Sequence, residues 1–521
     1  MERRRDIVSA CLVALAKIGL SRDLGSLLRP FLKNPDQEIA ETAVLCHGIA
    51  GLAGAVPDLV EILKDTPRGR KLLESPQGIH FRKRAFAAYA LGLIANAHQD
   101  LKLDRTVFQA AKEILGGSRC ANRDIPVSAL TAVGLLDPDL SDPKGQELAM
   151  EASRYLLDYL KNRRNPFLAR AHVPTALSRL LGRPPAGSAG KAPGDGPAGS
   201  PGAKVRALRK EALALMKGYL RRRKENSLVL QSCVLALGEM GDPKEGDLIE
   251  LLEETSRGKA GRDMQVRFFA NIALGYLGAA GARRAVDFLA LRLRKRCRKM
   301  DRPWVALGLG VSQAELLLRG KPGTPGAGDV LVESFKETRN PTWRGAMAVA
   351  LGLTQFTEAG PMVQKAMERS RVPAFKGYCA VALGLMKYKD ALEDMRDMLA
   401  NSLNEPDLLV QAAIGLGLMG EKSLVPDLLK ALWKTPSNQD SQGALAQALG
   451  LVGDARCLPH LADMLFDENL PATTRSFAAA ALGILGDPRP LPWNAPIAFG
   501  LNYRAAVETL TGGEEGILDI L

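Results

Sequence analysis

The phrase Ala-Leu-Gly-x-Leu/Met-Gly recurs along this chain, and a recurring phrase leaves few architectures open. With its first Gly as position 0, the anchors are Ala16, Gly48, Gly92, Gly134, Ser178, Gly238, Gly275, Gly308, Gly352, Gly384, Gly417, Gly450 and Gly483. The shortest unit is 32–33 residues, and longer steps carry insertions. Position −2 is Ala in every copy except Cys46 and Gly415, and position −1 is mostly Leu. Positions −5, −2, −1 and +2 fall on one face of a helix. That face is the core face, and its small −2 residue lets a neighbouring helix come close.

The punctuation fits helix pairs. Gly19, Gly51, Gly241, Gly278, Gly420, Gly453 and Gly486 stand at +3, where a left-handed C-cap is expected. In Gly241-Asp242-Pro243 and Gly486-Asp487-Pro488 the Asp is expected to cap the next helix and the Pro to open it. A second amphipathic segment follows the turn, as at 56–64, 244–254, 282–293 and 425–433. Each unit therefore reads as helix A, a loop, helix B with the glycine phrase, and a tight turn.

The phrase Val/Ala-x-Ala-Leu-Gly-x-Leu-Gly-Asp-Pro resembles HEAT repeats, in particular the short bacterial kind also found in phycobilisome lyases. The resemblance spans roughly residues 7–486. It implies an all-α, right-handed solenoid of about thirteen stacked helix pairs, with B helices on the concave face and A helices on the convex one. It says little of function, because HEAT arrays serve as scaffolds, carriers, nucleic-acid binders and occasionally enzymes.

The expected domain plan is an N-terminal repeat block at 1–182, a Pro/Gly/Ala/Ser linker loop at 183–204, a C-terminal block at 205–486 and an irregular cap at 487–521. The linker composition cannot bury apolar surface, so disorder is expected there. The chain opens directly on a B-type helix, which leaves open that it is part of a longer protein. No apolar run is long enough to span a bilayer. The seven Cys form no CxxC pair; Cys11, Cys46, Cys233 and Cys379 fall in core slots. A reducing compartment follows, and the cytoplasm is the expected location.

The chain of 521 residues carries a net charge of +13. Residues 401–521 hold 7 Lys and Arg against 14 Asp and Glu, so the rest is strongly basic. The cations cluster at A-helix ends and A-to-B loops: Arg68, Arg70, Lys71, Arg163, Arg164, Arg221, Arg222, Arg223, Arg292, Arg294, Lys295, Arg296, Lys336, Arg339, Arg369 and Arg371. Equivalent loops stack along one edge of a solenoid, so these runs are expected to merge into a basic binding edge. The plainer alternative is a solvated edge that suits helix C-termini. Position +1 is also mostly apolar. Leu93, Leu309, Leu353, Leu385, Leu418 and Leu451 are candidates for an apolar groove down the concave face, unless they pack against the next repeat.

Catalytic patterns are weak. Gly415-Leu-Gly-Leu-Met-Gly420 spells GxGxxG, but it ends a helix, whose carbonyl dipole repels phosphate. The five His lack His-Glu dyads and ligand spacing, and no GxSxG elbow occurs. No cofactor, metal or catalytic residue is expected. The leading reading is a monomeric, non-catalytic scaffold for another protein with acidic or amphipathic-helical segments. The alternative is a solenoid that grips nucleic-acid backbones, and more remotely a lyase- or glycosylase-like enzyme.

Overall fold

In a computed structural model the protein is an all-α array of helix pairs, described here for residues 2–19, 23–117, 122–182, 201–222, 224–258, 263–295, 297–435 and 439–489. The helices to the first half are α1 (Glu2–Ile18), α2 (Leu24–Leu28), α3 (Gln37–Ile49), α4 (Val56–Lys64), α5 (Pro67–Leu72) and α6 (Phe81–His98). Then come α7 (Leu101–Gly116), α8 (Asp124–Leu135), α9 (Pro143–Lys161), α10 (Phe167–Leu181), α11 (Pro201–Arg222) and α12 (Ser227–Met240). The second half holds α13 (Gly246–Arg257), α14 (Met264–Ala279), α15 (Arg283–Arg294), α16 (Arg302–Leu318), α17 (Ala327–Glu337), α18 (Pro341–Thr354) and α19 (Gly360–Arg369). It ends with α20 (Pro373–Met386), α21 (Leu392–Asn401), α22 (Pro406–Met419), α23 (Val425–Lys434), α24 (Gln439–Val452), α25 (Leu458–Phe466) and α26 (Ala472–Gly486). All thirteen anchors lie on helices, namely α1, α3 and the even-numbered helices from α6 to α26.

The chain divides into two compact units. One comprises Glu2–Ala14 with Pro243–Arg489; the other, among the described residues, comprises Leu15–Asp242. Within each unit every B helix packs along the next, while successive A helices touch far less. Tight B stacking beside loose A stacking places the B helices on the inner side of each unit. The inner stacking uses the glycine column. A methyl group at Gly48 would lie 2.4 Å from the Cα of Ala90, and one at Gly384 would lie 2.1 Å from the Gly415 carbonyl oxygen. Helix backbones meet there with no side chain between them. Gly483 is matched in the same way by Ala14, the −2 residue of α1 in the same unit. The expected cap at 487–521 lies almost wholly outside the described residues, as does 183–200; α11 already begins at Pro201.

The structure corrects the register of one repeat. Gly310, not Gly308, stacks on Ala350, while Gly308 fills the −2 slot against Gly275. Two glycines two residues apart in Gly308-Leu-Gly310 make the choice invisible without the neighbours. Leu309 is thus a −1 core residue and is fully buried.

The C-caps also differ from expectation. Gly19, Gly51, Gly420 and Gly453 are left-handed, but Gly241, Gly278 and Gly486 are not. Gly241 is extended instead, with φ −66 and ψ 153. Helix α13 starts only at Gly246, so Asp242 does not cap it. Conversely Gln355 (φ 51) and Lys387 (φ 53) adopt the left-handed turn at +3 with a side chain attached. Such a residue carries a steric cost of about 1 kcal/mol that Gly lacks. Gln355→Gly and Lys387→Gly are each expected to raise stability by roughly 0.5 kcal/mol, read as a small rise in melting temperature.

A separate set of arginines serves the packing. At position −8 the Nε of Arg84, Arg170 and Arg475 donates to the carbonyls of Leu63, Leu160 and Leu465, at 2.9, 2.9 and 2.8 Å. Each satisfies a carbonyl at the end of the preceding A helix, which would otherwise lack an intrahelical donor. Arg82 pairs with buried Glu41 at 2.8 Å. The three −8 arginines tie a B helix to its A helix, and Arg82 ties α6 to α3.

Candidate functional site

In the unit containing 243–489, the inner surface from α18 to α22 is largely apolar and only partly covered, and on α24 Leu451 continues it beside the exposed Gln447. Leu353, Leu385 and Leu418 are half-buried, and Leu451 is 43% exposed. Val349, Val381 and Ile414, one turn earlier, are half-buried as well. Neighbouring B helices come close along this face because three of the four repeats leave a glycine under the next repeat's side chain. Gly345 lies beneath Tyr378, Gly377 beneath Gln411 and Gly443 beneath Phe477. Positions −6, −3 and +1 carry no charged residue on α18, α20, α22 or α24. A second apolar stripe forms because these helices already bury their first stripe against the A layer.

The other two groove candidates do not join it. Leu93 and Leu309 are buried, Leu93 at 4% exposure. In the unit containing 15–242 the inner face also carries charge. Arg179 and Glu239 hold position +1 on α10 and α12, and Ser178 Oγ donates to Glu239 at 2.5 Å. Burial pulls the Arg179 pKa down to about 10, against the attraction of Glu239. The signal was in the sequence: two of the non-apolar +1 positions are a cation and an anion in adjacent repeats.

The basic edge is less cationic than its residue roll implied. In the unit of 15–242, Arg68 pairs with Asp58 at 2.9 Å, and Arg70 grips both oxygens of Asp65 at 2.9 Å. Arg163 lies 3.8 Å from Glu225, which Arg170 also binds. Lys71, Arg164, Arg221 and Arg222 are exposed; Arg223 lies outside the described residues. In the unit of 243–489, Arg292 is not an edge cation at all. Its side chain is 12% exposed, pairs with Asp301 at 3.3 Å and donates to Ser256. Burial lowers its pKa below the usual guanidinium range. Arg267 holds the other oxygen of Asp301 at 2.8 Å, so this is a core ion-pair network. Arg294 lies 3.7 Å from Glu333. Lys295, Arg339 and Arg371 are exposed on A-to-B loops, Lys336 and Arg369 are exposed in the last turns of α17 and α19, and Arg296 lies outside the described residues.

The described thiols are packing residues. Cys46, Cys233, Cys379 and Cys457 are buried, while Cys11 and Cys297 are half-buried. Burial pushes the Cys379 thiol up to about 12, which keeps it protonated. Gly415 and Gly417 of the GxGxxG phrase are contact points of α22 with α20 and α24, and Gly420 is its left-handed C-cap. Among the described residues no three His, Cys, Asp or Glu are grouped to hold a metal ion. No described helix is long and apolar enough to cross a membrane.

No family model matches the chain, and no curated protein matches it. Among solved structures it is similar to importin beta in an ammonium sulfate condition, at 11% identity and a TM-score of 0.40, over 93% of this chain and 63% of that one. It is similar to Kap121p bound to Nup53p at 12% identity and a TM-score of 0.38, over 91% of this chain and 53% of that one. A structure from work on a phosphorylation switch between cadherin and beta-catenin matches at 13% identity and a TM-score of 0.26, over 89% and 99%. The chain thus spans less than two thirds of the importin beta and Kap121p chains.

Proposed function

We propose that this protein is a non-catalytic scaffold that holds a segment of another protein along the inner face of α18 to α24. The observation that carries the reading is that face: half-exposed and free of charge at these positions, apolar at −3 and +1 on α18, α20 and α22, and continued on α24 by Leu451 beside the exposed Gln447. An apolar surface of that extent on a rigid array usually marks an interaction site. The segment that fits is amphipathic or extended, with apolar residues toward Leu385 and Leu418 and polar ones toward solvent. The 32–33-residue unit supports reading the repeats as the short kind found in bacterial and phycobilisome-lyase proteins. A cytoplasmic location fits the free cysteines of the described residues. The exposed loop cations favour a second reading, a grip on nucleic-acid backbones.

Leu385→Glu combined with Leu418→Glu tests the first reading. Both side chains are half-buried and line the surface rather than the core. Partner binding is expected to fall at least tenfold, with the melting transition lowered by only a few degrees. Retained partner binding together with a steep, salt-dependent affinity for DNA or RNA would favour the second reading.

A further inference from the structure

The A-to-B loops feed the N-terminal ends of the B helices, so in the unit of 243–489 they border the inner face along one side. Their charge changes sign along that border. The loops before α16, α18 and α20 expose Lys295, Lys299, Arg339 and Arg371. The loop before α22 and the first turn of α22 expose Glu405 and Asp407, and the loop before α26 exposes Glu468; Lys434, at the end of α23, is an exposed cation between them. Two aromatic rings stand out on the acidic part: Trp433 at 52% exposure and Phe466 at 77%. The basic part offers Met300 and Val372 instead.

We infer that the segment held on the inner face is charge-bipartite: acidic where it passes α16 to α20, apolar along the helices, and basic with apolar contacts where it passes α22 to α26. This rests on the scaffold reading above. The physical reason is screening. Stacked repeats lie about 9–10 Å apart, and exposed charges are screened beyond about 8 Å at physiological salt. Each loop is therefore felt mainly by the part of the partner lying over it, and the sign change is not averaged away. A nucleic-acid backbone is negative throughout. It would gain at the first three loops and be repelled at the acidic ones, whereas a polypeptide can change sign along its length. From the loop before α16 to the loop before α26 is roughly 50 Å, which an extended chain covers in about 15 residues.

The test uses the full chain and four labelled probes at physiological salt. Three are 16-residue peptides sharing a Leu/Phe centre: one with Glu at one end and Lys at the other, one with Glu at both ends, and one with Lys at both ends. The fourth is a dT20 oligonucleotide. The Glu/Lys peptide is expected to bind at least tenfold tighter than the other three. The variant Lys295→Glu, Lys299→Glu, Arg339→Glu, Arg371→Glu is expected to invert the order, so that the all-Lys-ended peptide becomes the tightest. If the all-Glu-ended peptide or dT20 binds as tightly as the Glu/Lys peptide, the bipartite inference is overturned. If all three peptides bind alike and all are weakened by Leu385→Glu with Leu418→Glu, the inner face is a binding site but the charge inference fails. If that double variant weakens no probe, the scaffold reading itself falls.

Discussion

Gly384→Ala is expected to destabilise the protein by about 3 kcal/mol or more, beyond ordinary overpacking. The added methyl would lie 2.1 Å from the Gly415 carbonyl oxygen, 2.8 Å from its carbon and 2.9 Å from its Cα. All three atoms are backbone, so no rotamer change can relieve the clash. Helices α20 and α22 must separate, and separation costs the dispersion contacts along both. Gly218→Ala is the control. Gly218 also lies inside a helix, α11, but nothing stands within 4 Å of the position an alanine methyl would take. There the substitution removes chain entropy from the unfolded state and is expected to stabilise by roughly 0.5–1 kcal/mol. Urea titration followed by circular dichroism measures both. Equal effects at the two sites would show that the glycine column is a matter of helix propensity and not of backbone contact.

Asp104→Asn is expected to raise stability above pH 7 and to change it little near pH 4. Asp104 is completely buried on α7. Burial pushes its carboxyl up to about 7; the Asp137 amide offsets part of this, and the Asp137 and Asp100 carboxylates add to it. The folded pKa therefore lies above the unfolded value. Below about pH 4 the group is protonated in both states and its contribution is fully present. As pH rises, the unfolded chain loses its proton first, and stability is lost until the folded group also ionises near pH 7. The advantage of Asn should grow across that window to on the order of 2–4 kcal/mol. Chemical denaturation at pH 4.5 and pH 8 measures it. A constant difference between wild type and variant at the two values would refute the assignment.

The helices themselves were legible in the sequence. The segment 56–64 is α4, residue for residue, and 425–433 differs from α23 by one residue. Apolar spacing and proline punctuation are local, so no neighbour is needed to read them. The groove was half legible. Leu353, Leu385, Leu418 and Leu451 do face the inner surface, but the same pattern at Leu93 gives a buried residue. Whether a +1 side chain meets solvent depends on what the next repeat lays over it, as Leu385 and Tyr378 lie over Gly352 and Gly345.

The basic edge was the least legible. Arg292 and Arg294 are two residues apart in one cationic run, yet one is a core partner of Asp301 and the other faces solvent beside Glu333. The partners of Arg82 and Arg170 stand 41 and 55 residues away in sequence. By itself the sequence determined the repeat, its helices and its small-residue column, because these follow from periodicities within one unit. Tertiary structure decided the register at Gly310, the burial of each +1 leucine and which arginines remain at the surface. Those depend on side chains contributed by the adjacent repeat, and a Coulomb or packing contact is set by distance in space, not by separation along the chain.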